Sequence, residues 1–363
     1  MKIAVSAQKF AALNPTGVER YSADLISHLA EQVPNEVELT LYLAREYRAS
    51  RVPHVSYRLL RPSRLWSLSA LPLALLRDHP DLVFIPANIL PPLLPVPAVT
   101  TVHDLGWRAH PEAYSSLTRL VLEYSTRRAV RLCRRLICIS NHTRSDLISL
   151  FGADPKRVEV IYPIFVPSPL KGDLALLRPL RLRADSYFLF LGRIEKKKNL
   201  VTLIRAFAAT RHSGKLLHRL VLAGAPGEGS AEITAEIANL GLLGEIILPG
   251  YVSEKLKGAL LKHATALVLP SLYEGFGYPI LEAYAARIPV VSSTAGPLPE
   301  VAGKGALLFD PPDVAALTAH LTTLATDKRT RERLIRAGDK ELTRFNPRHS
   351  TEKLWRALIE AAQ

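Results

Sequence analysis

Cysteine is nearly absent: Cys133 and Cys138 are the only two among 363 residues. Both lie in an apolar, basic stretch without histidines at metal-ligand spacing, which excludes a disulfide scaffold and a Cys/His metal site and leaves reduced core thiols of a cytosolic protein. Aromatics are sparse too, at 7%, and no recognised nucleic-acid motif occurs, so a non-catalytic nucleic-acid-binding protein rests on charge alone. No Asp-x-Asp triplet is present, and a divalent metal bridging phosphates is not indicated. The longest apolar run, residues 82–102, is broken by Pro86, Pro91, Pro92, Pro95 and Pro97, which makes a membrane-spanning helix improbable. Met1-Lys2 runs straight into Ile3-Ala4-Val5, and no secretory signal is expected. Repeats of 20–50 residues and low-complexity tracts are missing as well.

What is present is globular: 48% apolar and 22% charged residues, in a length that favours two domains, each with its own core. The formal charge is +14, which favours phosphate-rich partners. The excess is spread, with 20 basic against 14 acidic residues in 1–168 and 27 against 19 in the remainder. It is therefore not one patch.

Short aliphatic runs alternate with helix-period segments, the signature of parallel-sheet α/β architecture. Strands are expected at 2–7, 38–43, 82–85, 98–102, 136–139 and 158–161, with helices over 17–33 and 115–135 and a helix over 142–150 capped by Asn141. The proline-rich segment Pro163–Asp173 reads as a linker. The pattern restarts with strands near 187–191, 219–223, 245–248, 266–269, 289–291 and 306–308, separated by helices starting near Asn199, Ala231, Glu254 and Pro279. Helices over 313–326, 329–342 and 350–362 follow.

Glu274-Gly275-Phe276-Gly277-Tyr278-Pro279-Ile280-Leu281-Glu282 directly follows the strand at 266–269. A loop that leaves a strand and opens a helix presents unpaired N–H groups backed by the helix dipole, and its glycines allow close backbone approach. This is a candidate diphosphate seat, with Glu274 near the reactive group beyond the phosphates and Glu282 placed for ribose hydroxyls. A plain turn with one exposed and one capping glutamate is the competing reading. Gly192-Arg193-Ile194-Glu195-Lys196-Lys197-Lys198-Asn199 ends another strand. Arg193 offers a planar fork and Lys198 a point charge for a departing diphosphate, against the alternative of a solvated basic turn.

In the first half, Thr16-Gly17-Val18-Glu19-Arg20-Tyr21 starts a helix without GxGxxG spacing, which weakens an NAD or FAD reading. His103-Asp104 ends the strand Val99–Val102, and both side chains are expected in one crevice.

Taken together, TGVERY, VHDL, CISNHTRSDL, GRIEKKKN, the GYVS turn at 250–253, EGFGYPILEA and LPEVAGKGALLFDPPD resemble glycosyltransferase family 4, the retaining GT-B glycosyltransferases, from about residue 3 to residue 345. The resemblance implies two Rossmann-like domains facing across a cleft: an acceptor domain at 1–167, a nucleotide-sugar domain at 168–345, and a final helix, 346–363, crossing back to the first. It implies that Arg193 and Lys198 bind the donor pyrophosphate, that Glu274 contacts the transferred sugar, that Glu282 binds ribose, and that Gly192, Gly275, Phe276 and Gly277 belong to the same donor site. Gly17 would approach the phosphates, His103 would lie beside the reacting sugar, and Tyr251-Val252 would pack against the base. Two departures stand out: Arg287 where the family has a small residue or Gly, and Glu19-Arg20 in the first loop.

The implied reaction moves a hexose from a nucleoside diphosphate to an acceptor hydroxyl with retention and without a metal or other cofactor. The resemblance leans to GDP-mannose and a glycan or polyprenyl-diphosphate-linked acceptor in surface polysaccharide synthesis, with a rhamnosyl- or other hexosyltransferase using GDP-, dTDP- or UDP-sugars as the alternative. A nucleotide-sugar epimerase shares the frame but is disfavoured by the two donor motifs. The stretch from Tyr57 through Arg58, Arg61, Arg64 and Trp66 to Leu73, together with the arginines of 119–135, suits an anionic bilayer surface. The location expected is cytoplasmic, peripheral on the inner membrane.

Overall fold

The computed structural model describes residues 1–8, 10, 17–46, 52–62, 66–87, 89–111, 114–167, 172–212, 214 and 217–363. The chain divides into two compact units, Met1–Val166 with Phe345–Gln363, and Pro167–Arg344. The first division lies inside the proline-rich segment, whose residues 168–171 fall outside the described ones, as do Thr16 and Arg64.

The first unit is built on β1 (Lys2–Ala7), β2 (Glu38–Leu43), β3 (Val55–Leu59), β4 (Leu82–Ile85), β5 (Ala98–Val102), β6 (Arg135–Cys138) and β7 (Val158–Val160). All pair in parallel, in the order β3-β2-β1-β4-β5-β6-β7. β4 and β5 are buried along their whole length, which is why they read as unbroken aliphatic runs. Helices α1 (Gly17–Glu31), α2 (Leu71–Asp78), α3 (Gly106–Ala109), α4 (Ser116–Leu132) and α5 (Asn141–Phe151) connect them. In this order the chain reverses direction across the sheet between β1 and β4, and the crevice at such a switch point opens at the carboxyl ends.

Three expectations are corrected here. β3 was not anticipated, because an edge strand with a half-exposed pattern lacks the apolar alternation that marks a buried one. The cap of α5 is Ser140, whose side chain accepts from the Thr143 amide; Asn141 is the first helical residue instead. Trp66, read as part of a bilayer-facing stretch, is in a short π-helical turn and packs into the core. Arg58 from that stretch is committed to Asp78 at 2.6 Å.

The second unit carries β8 (Tyr187–Leu191), β9 (Arg219–Ala223), β10 (Ile246–Gly250), β11 (Ala266–Leu269), β12 (Val290–Ser293) and β13 (Ala306–Phe309). They pair in parallel in the order β10-β9-β8-β11-β12-β13, placing the switch point between β8 and β11. Its helices are α6 (Leu200–His212), α7 (Ser230–Asn239), α8 (Glu254–His263), α9 (Tyr278–Ala285), α10 (Leu298–Ala302), α11 (Val314–Thr326) and α12 (Lys328–Leu342). α9 ends against Arg287, which takes a left-handed conformation with φ of 56°. Gly305 and Gly338 lie under the ring of Tyr284, where a β-carbon would come within 2.5 and 2.6 Å of it. The last helix, α13 (Pro347–Ala362), belongs to the first unit and packs on α1, β4 and β5. No described helix is long and apolar enough to cross a membrane.

Candidate active site

Four strands that are neighbours in the second sheet, β10, β9, β8 and β11, end in four loops of the same unit. Every residue of that unit expected to hold the donor lies on three of these loops or on the helix that follows β11.

β8 leads into Gly192 and the exposed Arg193. This loop is fastened to the one after β9, Gly224-Ala225-Pro226-Gly227-Glu228-Gly229, by a run of backbone bonds: Gly192 to Ala223 at 3.0 Å, Ile194 to Ala225 at 2.9 Å, Gly227 to Ile194 at 2.8 Å and Lys196 to Glu228 at 3.0 Å. Glycine at 224 is obligatory, since a β-carbon there would be 1.8 Å from the Gly192 carbonyl oxygen. At 227 a β-carbon would come 2.9 Å from Arg193 Nε, so this glycine makes room for the guanidinium. Three glycines in six residues at a strand end mark it in the sequence.

Asn199 closes the basic turn in a left-handed conformation, φ 52°. Its amide donates to the carbonyls of Pro270 at 3.1 Å and Pro311 at 2.7 Å, and accepts from Thr202 Oγ1 at 2.8 Å. It thereby ties the β8 loop to the end of β11. Across this junction Lys198 Nζ meets Glu274 Oε1 at 2.7 Å, both side chains mostly buried, and Ser271 Oγ donates to the same oxygen at 2.7 Å. Lys198 and Glu274, expected at different parts of a donor, thus form an ion pair with each other.

After Glu274 the chain passes Gly275 and the buried Phe276 to Gly277, which opens α9 with φ 104°. Pro279 occupies the first turn, where a missing N–H costs nothing. One turn further, Glu282 accepts from Lys257 of α8 at 3.2 Å. The loop after β10 presents Tyr251, 74% exposed, beside Val252. It is tied to the β9 loop by the Gly224 amide, which donates to the Gly250 carbonyl at 2.9 Å.

The first unit holds the other two candidates. His103 follows β5, and its Nε2 lies 2.8 Å from the Pro86 carbonyl. Because a carbonyl only accepts, the hydrogen is on Nε2 and Nδ1 carries the lone pair. Burial holds the imidazole pKa below its ordinary value, against the opposing pull of the Pro86 hydrogen bond. Tyr21 of α1 meets the ring edge-on with centroids 4.7 Å apart. Beside it, Asp104 Oδ1 accepts from the Gly106 amide at 2.9 Å, just ahead of α3. Gly17, the first residue of α1, has no packing contact among the described residues within 4 Å of where a β-carbon would stand, so none of them requires glycine there. Among the described residues no cluster of three His, Cys, Asp or Glu is arranged to hold a metal ion.

Residues 15–166 match the family described as Glycosyltransferase Family 4, and residues 180–341 match Glycosyl transferases group 1. The chain is 29% identical to O-antigen chain mannosyltransferase B of Escherichia coli over 87% of its own length and 89% of that protein's. Among solved structures it is similar to the sucrose-phosphate synthase of Thermosynechococcus elongatus, with a TM-score of 0.78 at 19% identity over 99% of both chains. It is also similar to Anabaena HepE in complex with UDP and glucose, with a TM-score of 0.77 at 20% identity over 99% of this chain and 100% of that one. With a family 4 domain followed by a group 1 domain, each on the doubly wound parallel sheet described above, the chain belongs to the GT-B glycosyltransferases of family 4.

Proposed function

We propose that this glycosyltransferase moves mannose from GDP-mannose, with retention at the anomeric carbon, onto a hydroxyl of a glycan or polyprenyl-diphosphate-linked acceptor in surface polysaccharide synthesis. The observation that carries the donor part is the convergence of Arg193, Lys198, Glu274 and the start of α9 at the carboxyl ends of β8 and β11. The likeness to the E. coli O-antigen mannosyltransferase supports the hexose and the acceptor class.

In this reading the donor diphosphate lies against Arg193 and the first amides of α9, and Lys198 is shared between it and Glu274. Glu282 accepts from the ribose hydroxyls, Tyr251 and Val252 face the base, and Glu274 faces the hexose. When the C1–O bond breaks, its electron pair goes to the leaving phosphate oxygen. The acceptor oxygen attacks from the same side and gives its proton to that phosphate. Each preorganised donor aimed at the developing charge contributes about 3 kcal/mol, on the order of a hundredfold in rate. These protein cations take the part that a metal plays elsewhere, so the reaction is metal-independent. The first unit's candidates keep the roles the resemblance implies, His103, with neutral Nδ1 as an acceptor, for the reacting sugar and Gly17 for the phosphates. A membrane-borne acceptor would bring the enzyme to the cytoplasmic face of the inner membrane.

The alternative donor is a UDP-sugar, such as the UDP and glucose bound by HepE, or a dTDP-hexose. Thermal-shift measurements with GDP-mannose, UDP-glucose and dTDP-rhamnose, followed by hydrolysis of the stabilising donor and NMR of the released or transferred sugar, test the proposal. Stabilisation by GDP-mannose and an anomeric configuration equal to the donor's are expected. Stabilisation by UDP-glucose alone would replace the donor, and an inverted product would remove retention.

A further inference from the structure

Helix α4 has apolar side chains on both faces. It buries Ser125, Thr126 and Ala129, with Leu122 and Val130 half-buried against the core, yet turns Leu117, Leu120 and Tyr124 to the outside, 74%, 69% and 62% exposed, with Val121 at 43%. These four recur at the spacing of a single helix face, which on a globular surface is normally the polar one. The stripe continues along the same face into Arg128 and Arg131. Beside it the segment after β4 is held to the helix: Arg128 donates to the carbonyls of Pro91 and Pro92 at 2.8 Å each, and Ser125 Oγ accepts from the Leu90 amide at 3.1 Å. That segment adds the exposed Ile89 and Leu93 to the apolar surface.

The charge of this region is one-sided. Residues 116–135 contain six arginines, at 119, 127, 128, 131, 134 and 135, and a single acid, Glu123, which is taken up by Arg108 at 2.6 Å and Arg127 at 2.7 Å. At the C-terminal end of α4, a cavity of about 440 Å³ is lined by Arg131, Arg134, Arg135 and Arg157, with Glu360 opposite. Arg135 is paired with Glu360 at 2.5 Å and Arg134 donates to the Ala361 carbonyl at 2.7 Å. Arg131 belongs both to the exposed face and to the cavity.

We propose that α4 and the segment 89–93 form a bilayer-docking surface, with the leucine stripe entering the acyl boundary and the arginine-lined cavity at the end of α4 seating the phosphodiester headgroup of an anionic phospholipid. An apolar stripe running into a block of arginines, in which the acids Glu123 and Glu360 are each already paired with arginine, complements an anionic interface. It complements poorly a second copy of the same face, which would set arginines against arginines. This deepens the membrane part of the function proposed above and rests on it only for the choice of a bilayer as occupant. It sets a docking surface on α4, distinct from the stretch at 57–73, in which Trp66 is in the core while Leu68 and Leu73 are exposed.

The test is co-sedimentation of the full-length protein with vesicles of phosphatidylcholine alone and of phosphatidylcholine mixed with phosphatidylglycerol. Wild type is expected to sediment only with the mixed vesicles. Leu117→Asp with Leu120→Asp, and separately Arg119→Glu with Arg131→Glu, should each weaken sedimentation about tenfold or more, whereas Arg61→Glu should not. Emission from Tyr124→Trp should shift to shorter wavelength on adding mixed vesicles. Thermal shift by the nucleotide-sugar should be the same in all variants, so a failure of the donor reading appears there and not in sedimentation. Wild type remaining in the supernatant, or sedimentation indifferent to both double substitutions, would overturn the proposal. So would self-association that the aspartates abolish without any vesicle binding, which would make the face a contact between two copies.

Discussion

Lys198 and Glu274, 76 positions apart in sequence, share one contact at 2.7 Å between ammonium and carboxylate, and Ser271 donates to the same carboxylate oxygen. The pair is largely withdrawn from water, so removing one partner strands the other, at a cost of about 3 kcal/mol or more. Because the two groups are proposed to meet different parts of the donor, their substitution should separate kinetically. Glu274→Gln, which keeps a carbonyl for Ser271, is expected to lower kcat about a hundredfold with donor KM unchanged or reduced. Lys198→Ala is expected to raise donor KM as well. Steady-state kinetics with the donor varied decide this, and near-normal turnover of Glu274→Gln would remove the sugar-contact role.

Two glycines make opposite predictions. Gly224→Ala drives a methyl group into the Gly192 carbonyl, which forces the β8 and β9 loops apart and should cost about 1 to 3 kcal/mol of stability together with donor binding. Gly17→Ala meets none of the described packing neighbours within 4 Å and should melt like wild type. Any loss of transfer in Gly17→Ala then reports a ligand close to that position. Calorimetry with and without donor separates the cases.

Acid sensitivity should follow two half-buried imidazoles. Burial depresses the pKa of both His103 and His218, so between folded and ordinary pKa the unfolded chain binds the extra proton. Stability from these groups is complete above about pH 6.5 and declines as pH falls through the folded pKa. All three tryptophans, Trp66, Trp107 and Trp355, belong to the first unit, so their fluorescence reports the unit that holds His103. Urea midpoints followed this way at pH 7.5 and 5.5 should drop less in His103→Asn than in wild type. Equal drops would mean that His103 is not buried neutral.

Asp78, at the end of α2, gathers the edge of the first sheet. It accepts from Tyr42 at 2.7 Å and pairs with Arg58 at 2.6 Å and Arg77 at 2.9 Å. Burial opposes its ionisation, but the hydrogen bonds from Arg77, Tyr42 and Arg58 outweigh it and hold the carboxyl below its usual range. Asp78→Ala should cost about 1 to 3 kcal/mol and loosen β3 first. Faster hydrogen exchange over residues 55–59 than over β1 would show it.

Most of the fold was legible because buried parallel strands are written as short aliphatic and aromatic runs, as in Leu82–Ile85 and Tyr187–Leu191. Shifts of a residue or two at the ends of β6, β10 and β12 reflect what periodicity resolves. β3 escaped because Tyr57 and Arg58 on an edge strand look like surface. Trp66 was misread for a related reason: neighbouring arginines suggested an interface, while tertiary packing took the indole into the core. At the candidate site, motifs show which loops carry chemistry but not how their side chains meet. The Lys198–Glu274 pair, Lys257 behind Glu282 and the zipped glycine loop at 224–229 all depend on which strands are neighbours, and that order is set by the sheet.

The return of α13 to the first unit makes the second unit an insertion in the first. A nascent chain that has delivered residues 1–166 still lacks the helix that packs on α1, β4 and β5, whereas the second unit is contiguous and closes with Arg344. The half that is synthesised first is therefore the half that is completed last, and its sheet must wait, partly uncovered, until residues 345–363 arrive.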